Sequence, residues 1–530
     1  MAKTPLLRSL KQLVRYVRAS KATGVPVDEL RDRASGLSRR KFLAGAAVGA
    51  AALALPRRVM AAGTTKTVAI IGGGIAGLNC ALSLRDKGVT ATVYEASGRL
   101  GGRMFSNSSY WNAGQVSEWC GELIDTGHHT IRNLCARYSL PLDDLLGAEP
   151  NGSTEIYYFG GHYYSYAQAA ADFDDIIDIL QADVRDAGYP TLYNSATSDG
   201  AELDHTSIYD WIESRVPGGH SSPLGQLIDV AYAIEYGADT RVQSSLNLVY
   251  LLGYQPNSGL SLFGVSDEKF HIRGGNQRLP EAIAADLGSQ VVTGHSLVRL
   301  KQTANGRYTS TFQRATGTVD ITTDYVVLAI PFAVLAGIDT SQAGFDALKR
   351  TAINELGRGH NGKLQMQFAQ RAWNGTGPWP GKSNGAAYSD TGFQATWDVT
   401  RAQSGTPGIL VCYSGGSVTD AMMTVSPFAT ASDSKVTQDV QRGLAQLAPV
   451  YPGLSWNGKA TQSLPHKSPF FNASYSYWKV GQYTKFAGYE AAPQGGVYFC
   501  GEHTSIDAQG YMEGGAATGK DAALALAKVI

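Results

Sequence analysis

The sequence is poor in charged residues, and the charges that it has cancel. Only 17% of the 530 residues are Asp, Glu, Lys or Arg, with 45 acidic and 45 basic side chains. A chain without an excess of either sign has no strong overall field to attract nucleic acid or an anionic membrane surface. We therefore expect no nucleic-acid partner.

Cysteine is also scarce and shows no metal-binding pattern. The five cysteines contain no C-x-x-C pair and no other spacing typical of a metal site, which predicts that the protein binds no metal. An odd number leaves at least one thiol unpaired in an oxidising compartment. Whether Cys120 and Cys135 form a disulfide is left open.

Long hydrophobic runs are lacking, and the one near the start has the features of an export signal. The apolar run 43–55 is too short to span a bilayer. It follows Ser38-Arg39-Arg40-Lys41-Phe42-Leu43, which matches a twin-arginine motif, and precedes the small-residue cleavage site Val59-Met60-Ala61. We therefore expect a signal region over 1–62 read by the twin-arginine translocation machinery. The mature chain would begin near Ala62, have no stable membrane span, and be periplasmic or secreted in a bacterium, with an uncleaved anchor as the alternative.

The strongest pattern in the chain is a strand, a glycine-rich turn and a helix. The apolar, β-branched run 67–71 predicts a buried strand, and Gly72, Gly74 and Gly77 then occupy the three glycine positions of a dinucleotide-binding turn. A second predicted strand ends at Glu95, at the distance expected for an acid that binds ribose hydroxyls. Together these elements predict a dinucleotide site.

The segment that begins at Glu95 resembles the flavin-containing amine oxidase superfamily. The run EASGRLGGR, residues 95–103, matches the pattern E-A-x-x-R-x-G-G-R. The resemblance implies that Glu95 binds the adenosine ribose of FAD and that Arg103 lies near the pyrophosphate. The residues agree with this role, because Arg99, Arg103 and the paired glycines form a cationic, sterically open turn suited to phosphate oxygens.

Further segments resemble other flavin contacts of the superfamily. Two of them are Gly121-Glu122-Leu123 and Gly510-Tyr511-Met512. A third is the strand around Val298, whose backbone would meet the adenine. The fourth is Gly501-Glu502-His503, in which the acid would hold the ribityl chain. The resemblance thus implies the cofactor-binding residues Gly72, Gly74, Gly77, Glu95, Arg99, Gly102, Arg103, Glu122, Leu123, Val298, Gly501, Glu502, Tyr511 and Met512.

Three residues are implied to be catalytic. Lys363, just ahead of the alternating run Leu364, Met366, Phe368, resembles the lysine that holds a water near flavin N5. The run Gly481-Gln482-Tyr483-Thr484 resembles the G-C-Y-T segment whose cysteine binds FAD covalently. Because glutamine replaces that cysteine, we expect noncovalent FAD. Tyr483 and Tyr511 would form an aromatic cage around an amine nitrogen.

The resemblance implies an FAD-dependent oxidase of amines. The α-carbon of a small amine would pass a hydride to flavin N5, the imine would hydrolyse, and O2 would be reduced to H2O2. A homodimer would be compatible with this function. Amino acid oxidases often carry an arginine shortly after the Glu-Leu pair, where this chain has Thr126 and Gly127. The alternatives are an L-amino acid oxidase that uses Arg273 or Arg132, a flavin desaturase or dehydrogenase, and a flavin-bearing protein without turnover.

The expected fold is α/β, with a Rossmann-like FAD-binding domain of the GR2 type interleaved with an α+β substrate-binding domain. The FAD-binding parts are predicted at 63–150, 271–335 and 466–530, and the substrate-domain parts at 151–270 and 336–465. Within the substrate domain, the run YYFGGHYYSY predicts a hairpin, and an amphipathic pattern predicts a helix after it.

Overall fold

The computed structural model describes residues 66–255 and 260–530, so the predicted export signal lies outside the described residues. No helix within this part of the chain combines the length and the apolar character needed to cross a bilayer. The helices are α1 (Ile75–Arg85), α2 (His129–Arg137), α3 (Tyr166–Asp174), α4 (Ile177–Ala187), α5 (Ser198–Asp204), α6 (Ile208–Arg215), α7 (Pro223–Tyr236), α8 (Ser245–Leu252), α9 (Arg278–Leu287), α10 (Phe332–Leu335), α11 (Ala347–Glu355), α12 (Ser417–Asp420), α13 (Ser434–Leu447), α14 (Gln482–Phe486) and α15 (Met512–Leu526).

The strands fall into two large sheets and several smaller ones. They are β1 (Val68–Ile71), β2 (Thr92–Tyr94), β3 (Ser106–Asn107), β4 (Ser117–Glu118), β5 (Leu142–Asp144), β6 (Thr154–Phe159), β7 (His162–Tyr164), β8 (Phe270–Ile272), β9 (Val291–Val292), β10 (Ser296–Gln302), β11 (Tyr308–Arg314), β12 (Gly317–Thr323), β13 (Tyr325–Leu328), β14 (Asp339–Gln342), β15 (Gly357–Arg358), β16 (Asn361–Phe368), β17 (Asn374–Gly375), β18 (Ser383–Ser389), β19 (Ala395–Asp398), β20 (Gly408–Gly415), β21 (Phe428–Thr430), β22 (Trp456–Ser463), β23 (Ser476–Tyr477) and β24 (Val497–Phe499).

The first large sheet is parallel and contains the predicted dinucleotide motif. Its strand order is β24-β13-β1-β2-β9, and in its register Ile70 pairs with Val93 on one side and Val327 on the other. All four residues of β1 are buried, as expected for a central strand that is covered on both faces. Three widely separated parts of the chain supply the strands, which confirms the predicted α/β fold with a Rossmann-like domain. The residue boundaries of the domains remain a prediction.

Glycines allow α1 to pack closely against this sheet and α15 to pack closely against α1. Gly72 has a φ of +112°, and α1 begins directly after Gly74. A Cβ atom at Gly77 would collide with the carbonyl oxygen of Gly72, and one at Gly519 would collide with that of Ala76. The small residues therefore keep the start of α1 at the carboxyl end of β1, where a bound dinucleotide is expected.

The second large sheet is mixed and has nine strands in the described part of the chain. Its order is β21-β22-β16-β20-β19-β18-β6-β7, with β17 on β18, and β6 pairs with β18 in parallel. The hairpin β6–β7 confirms the one predicted from the tyrosine-rich run. The amphipathic segment after it forms two helices, α3 and α4, rather than one continuous helix.

The strand β16 is buried on both faces, although its sequence alternates between apolar and polar residues. Its polar face packs against the segment 112–122: Gln365 donates to the Glu118 carbonyl, and Lys363 donates to the Cys120 carbonyl. The polar residues of β16 thus bind the chain that crosses from the parallel sheet, which brings Lys363 to the junction of the two sheets.

Candidate active site

A cavity of about 660 Å³ lies at the junction of the two sheets. One part of the wall comes from residues within two positions of the ends of the parallel strands: Gly72 after β1, Glu95 after β2, Ala329 after β13 and Gly501 after β24. Another part of the wall comes from the mixed sheet, with Lys363, Tyr388, Trp397 and Tyr413. This position, at the carboxyl ends of parallel strands, is where open α/β sheets bind their ligands.

Most of the predicted site residues line this cavity. Those that do are Gly72, Gly74, Glu95, Arg99, Gly102, Arg103, Glu122, Leu123, Lys363, Gly501, Glu502, Tyr511 and Met512. Gly77 does not line it and serves helix packing, as described above. Val298 does not line it either; it lies on β10 with 40% of its surface exposed.

The glycine-rich turn is open towards the cavity and is bordered by a fixed carboxylate. A Cβ atom at Gly74 would meet only the Cα atom of Gly102, at 3.9 Å. Glu95 accepts hydrogen bonds from the Gly73 N–H (2.8 Å) and from the N–H and hydroxyl of Ser97 (both 2.8 Å). These contacts fix the acid beside an uncovered stretch of backbone, as a ribose and a pyrophosphate require.

The two arginines of the motif have different surroundings. Arg99 donates to the carbonyl oxygens of Leu100 and Gly102 and stacks over Phe105, with 3.9 Å between the guanidinium carbon and the ring centroid. It therefore fixes the shape of the turn. Arg103 forms an ion pair with Glu502 (2.9 Å) and so ties the turn to the C-terminal part of the chain.

Glu502 is buried and remains ionised through its partners. Besides Arg103, it accepts hydrogen bonds from the Ser476 hydroxyl (2.8 Å) and the Gly510 N–H (3.0 Å). Burial alone would raise its pKa, but the charge of Arg103 and these hydrogen bonds hold the pKa below its usual range.

The same wall carries buried polar atoms without protein partners. Both ring nitrogens of His503 and the side-chain nitrogen of Gln509 are buried and lack a hydrogen-bond partner in the described residues. Burial lowers the pKa of His503 to about 4, so the ring is neutral. Buried polar groups are normally paired, so a ligand that supplies hydrogen bonds is expected here. The orphaned atoms, the open turn and the fixed acid fit a flavin cofactor.

Lys363, on β16 of the mixed sheet, lines the cavity and is ion-paired. Its Nζ atom is 2.7 Å from a carboxylate oxygen of Glu122 and 2.7 Å from the Cys120 carbonyl oxygen. The other carboxylate oxygen of Glu122 accepts from the Trp397 indole at 2.9 Å. Burial would raise the pKa of Glu122, but Lys363 and Trp397 together lower it.

Tyr475 and Tyr511 both line the cavity, whereas Tyr483, which the sequence predicted as the partner of Tyr511, does not. The Tyr511 hydroxyl donates to Glu235 at 2.8 Å, and the Tyr475 hydroxyl donates to the Ile234 carbonyl at 3.1 Å. A Cβ atom at Gly510 would lie 3.6 Å from the Tyr475 ring, so this ring packs directly beside the segment that carries Tyr511.

Tyr483 lies in the hydrophobic core and not on the cavity wall. Its hydroxyl donates to the Asn247 side chain at 3.1 Å, and its ring packs against Trp478 with 5.0 Å between centroids. Tyr483 lies in the core because Gly481-Gln482-Tyr483 begins the short helix α14. In the first turn of this helix, Asp204 accepts a hydrogen bond from the Tyr483 backbone N–H, and the tyrosine ring lies towards α8.

Sequence reasoning also missed two acids on the cavity wall, Glu235 and Glu268. Neither belongs to a recognisable motif. The two arginines considered as carboxylate ligands lie elsewhere: Arg273 pairs with Asp143 at 2.7 Å, and Arg132 donates to the Thr126 carbonyl at 2.6 Å. Neither arginine lines the cavity.

Comparison with known proteins agrees with this geometry. The family model for flavin containing amine oxidoreductases matches residues 75–527. The chain is 25% identical over 482 residues to the putative L-amino-acid oxidase YobN of Bacillus subtilis (strain 168), covering 86% of this chain and 93% of that protein. It is 24% identical to polyamine oxidase 7 of Oryza sativa subsp. japonica, covering 87% and 94%. The structure of cyclohexylamine oxidase from Brevibacterium oxydans IH-35A superposes with a TM-score of 0.73 at 19% identity, covering 88% of this chain and 99% of that one. The chain belongs to the family of flavin-containing amine oxidoreductases.

Proposed function

We propose that this protein is an FAD-dependent oxidase of amines that lack an α-carboxylate. The observation that carries the proposal is the composition of the cavity wall beside Tyr511, which contains the carboxylates Glu235 and Glu268. Acids at this position attract an ammonium group and repel the carboxylate of an amino acid. Relatives include proteins named as amine oxidases and as amino acid oxidases. The charge of the cavity wall beside Tyr511 is the feature that we use to choose between these two activities.

The side chains suggest how the substrate is held. The π faces of Tyr475 and Tyr511 bracket the amine nitrogen and exclude water around it. Glu235 fixes the Tyr511 ring through its hydroxyl. Exclusion of water favours the neutral amine, which is the form able to give up a hydride from the α-carbon.

Lys363 positions a water molecule at the reacting centre. Two of its three N–H groups bind Cys120 and Glu122, which leaves one to hold the water. When bound, FAD supplies the electron acceptor, which takes the hydride and passes two electrons to O2 to give H2O2. The imine product then hydrolyses to an aldehyde and ammonia.

FAD binding is proposed to be noncovalent. Serine precedes Tyr475 and glutamine precedes Tyr483, so neither position supplies a thiol. Cys120 lines the cavity, but burial raises its pKa to about 11, and a protonated thiol is a poor nucleophile. Acid precipitation should therefore release the flavin into the supernatant; flavin that stays with the protein pellet would contradict noncovalent binding.

Oxygen uptake with matched substrates tests the proposed activity. 2-Phenylethylamine and L-phenylalanine differ only in the α-carboxylate. We expect O2 uptake with the amine, with equal amounts of aldehyde, ammonia and H2O2, and much slower uptake with the amino acid. Faster uptake with L-phenylalanine would establish an amino acid oxidase. Turnover of the amine with an artificial acceptor but not with O2 would establish a dehydrogenase.

Export through the twin-arginine pathway is proposed on the motif at residues 38–43. We propose that the oxidase works outside the bacterial cytoplasm, where peroxide and aldehyde do least harm. Cell fractionation tests this: the wild-type chain should be periplasmic or secreted, and the R39K/R40K variant should stay in the cytoplasm. Equal export of both chains would contradict the proposal.

A further inference from the structure

Two carboxylates approach the cavity from separate parts of the chain. Glu235 lies next to the end of α7, and Glu268 lies just before β8, at a backbone φ of +45°. Both line the cavity together with Tyr511. A positive φ is uncommon for a residue other than glycine, and here the backbone N–H of Glu268 is held by Asp125 at 3.0 Å.

Neither carboxylate has a cationic partner among the described residues. Glu235 accepts one hydrogen bond, from the Tyr511 hydroxyl, and the Glu268 carboxylate accepts none. Arg401 is the nearest stabilising charge for Glu268, but it is itself paired with Glu149 at 2.8 Å. The lysine of the cavity is paired with Glu122. An ionised carboxylate at this end of the cavity would therefore have no protein cation beside it.

The surroundings make this charge costly in the absence of a ligand. Burial raises the pKa of Glu235 to about 7, and burial with the nearby Asp125 and Glu235 raises that of Glu268 to about 8. Asp125 is satisfied by the Ser266 hydroxyl at 2.8 Å and faces His128. A bound cation would relieve the repulsion between the acids, because an opposite charge at short range favours the ionised carboxylate.

The cavity that holds the two acids and the two tyrosines also has an extensive apolar lining. Ile234, Phe263, Tyr388, Ala395 and Tyr413 contribute to it. Such a lining suits an alkyl chain, because burial of apolar surface is favourable and the chain has no polar groups that need hydrogen bonds. A ligand matched to the whole cavity thus has an alkyl spacer with an amine at each end.

Resting on the proposed amine oxidase function, we infer that the cavity selects amines that carry a second cationic group, which binds at Glu268 and Glu235. The substrate class is then a diamine or polyamine. One amino group lies between Tyr475 and Tyr511 for oxidation, and the other remains an ammonium ion at the two acids.

Matched substrates test this inference. 1,5-Diaminopentane and hexylamine have nearly the same length, and the second replaces the distal ammonium by a methyl group. We expect kcat/KM for the diamine to exceed that for hexylamine by about 10- to 100-fold, the effect of one charge-assisted contact. Equal values for the wild-type protein would overturn the inference. Oxidation of hexylamine would then still support the proposed amine oxidase, whereas failure of both amines would contradict that function itself.

Substitution of Glu268 tests whether this acid is responsible for the preference for diamines. Glu268→Gln keeps the shape and removes the charge, so we expect it to lower the diamine-to-hexylamine ratio by about 10-fold or more. Glu213→Gln is the matched control, since Glu213 lies on the surface and pairs with His220; its ratio should equal that of the wild type. A Glu268→Gln variant that slows both amines equally would assign Glu268 a structural role and refute the inference.

Thermal unfolding provides a readout without turnover. Under anaerobic conditions, 1,5-diaminopentane should raise the unfolding temperature of the wild-type holoprotein more than hexylamine does. The difference should be lost in Glu268→Gln and kept in Glu213→Gln. The same diamine-dependent shift in Glu268→Gln would place the second cation at another site.

Discussion

Lys363 is a buried residue whose charge is balanced inside the protein. Its side chain is only 9% exposed, and Glu122, Cys120 and their neighbours surround it. Removing one member of such a pair leaves the other charge buried without compensation, which ordinarily costs more than the pair itself contributes. Mutating Lys363 alone therefore combines a loss of stability with any loss of catalysis, and the two effects need to be separated.

A double substitution separates them. We expect Lys363→Met to lower the free energy of unfolding by about 3 kcal/mol, because Glu122 loses its cation. Adding Glu122→Gln should recover part of that loss, because the remaining group is neutral. Flavin reduction should be at least about 10-fold slower in both variants if Lys363 positions the water. Full recovery of the rate in the double variant would give Lys363 a structural role only.

Tyr475 and Tyr483 differ in what they touch. Tyr475 faces the cavity, whereas Tyr483 packs in the core. We expect Tyr475→Ala to lower kcat/KM for amines by about 10- to 100-fold, because one wall around the nitrogen is lost. Tyr483→Ala should instead destabilise the fold by about 3–5 kcal/mol, the usual cost of truncating a buried aromatic residue. Steady-state kinetics and chemical denaturation of both variants measure this contrast, and the reverse pattern would restore the assignment of Tyr483 to the cage.

At the scale of elements, the site depends on the close packing of α1 against α15. Gly519 faces the Ala76 carbonyl, and no larger residue fits there without displacing one helix. We expect Gly519→Ala to destabilise the protein by about 1–3 kcal/mol and to weaken flavin retention, since α1 carries the dinucleotide turn. Gly127→Ala is the control, because Gly127 has open space around it and should be within about 0.5 kcal/mol of the wild type. Denaturant titration and the flavin content of the purified proteins measure the two effects.

The elements also show what the sequence could and could not predict. The motif from β1 through α1 to Glu95 was predictable because its turn, its spacing and its packing glycines are all local in the chain. Tyr475 was not, because its position depends on the pairing of β15 with β23, more than a hundred residues apart. Glu268 reaches the cavity through an unusual backbone conformation and a contact with Asp125, neither of which leaves a pattern in the sequence.

For the whole molecule, buried carboxyl groups predict how stability changes with pH. Glu490 is almost fully buried, and burial raises its pKa to about 8. The unfolded chain releases this proton near pH 4.5, whereas the folded protein keeps it, so stability should fall between about pH 5 and 7. Burial lowers the pKa of Lys349 to about 7. Titration of Lys349 should therefore make stability rise with pH, but only above about pH 7.

Substitution of Glu490 isolates its share of this pH dependence. Glu490→Gln keeps the side-chain oxygen that accepts from the Gly488 N–H and removes the titrating proton. We expect the loss of stability per pH unit between pH 5 and 7 to shrink by up to about 1.4 kcal/mol, the value for one proton. An unchanged slope in urea titrations across that range would show that Glu490 does not hold its proton in the folded state.

The central claim is that the cavity oxidises amines without an α-carboxylate, and anaerobic mixing tests it most directly. Under these conditions the flavin absorbance reports electron transfer from the substrate, whichever acceptor the enzyme uses in turnover. We predict rapid bleaching of the flavin by 2-phenylethylamine and by 1,5-diaminopentane, and none by L-phenylalanine or L-lysine on the same timescale. Bleaching by the amino acids alone would contradict the account, since the acids near Tyr511 would then have failed to exclude a carboxylate.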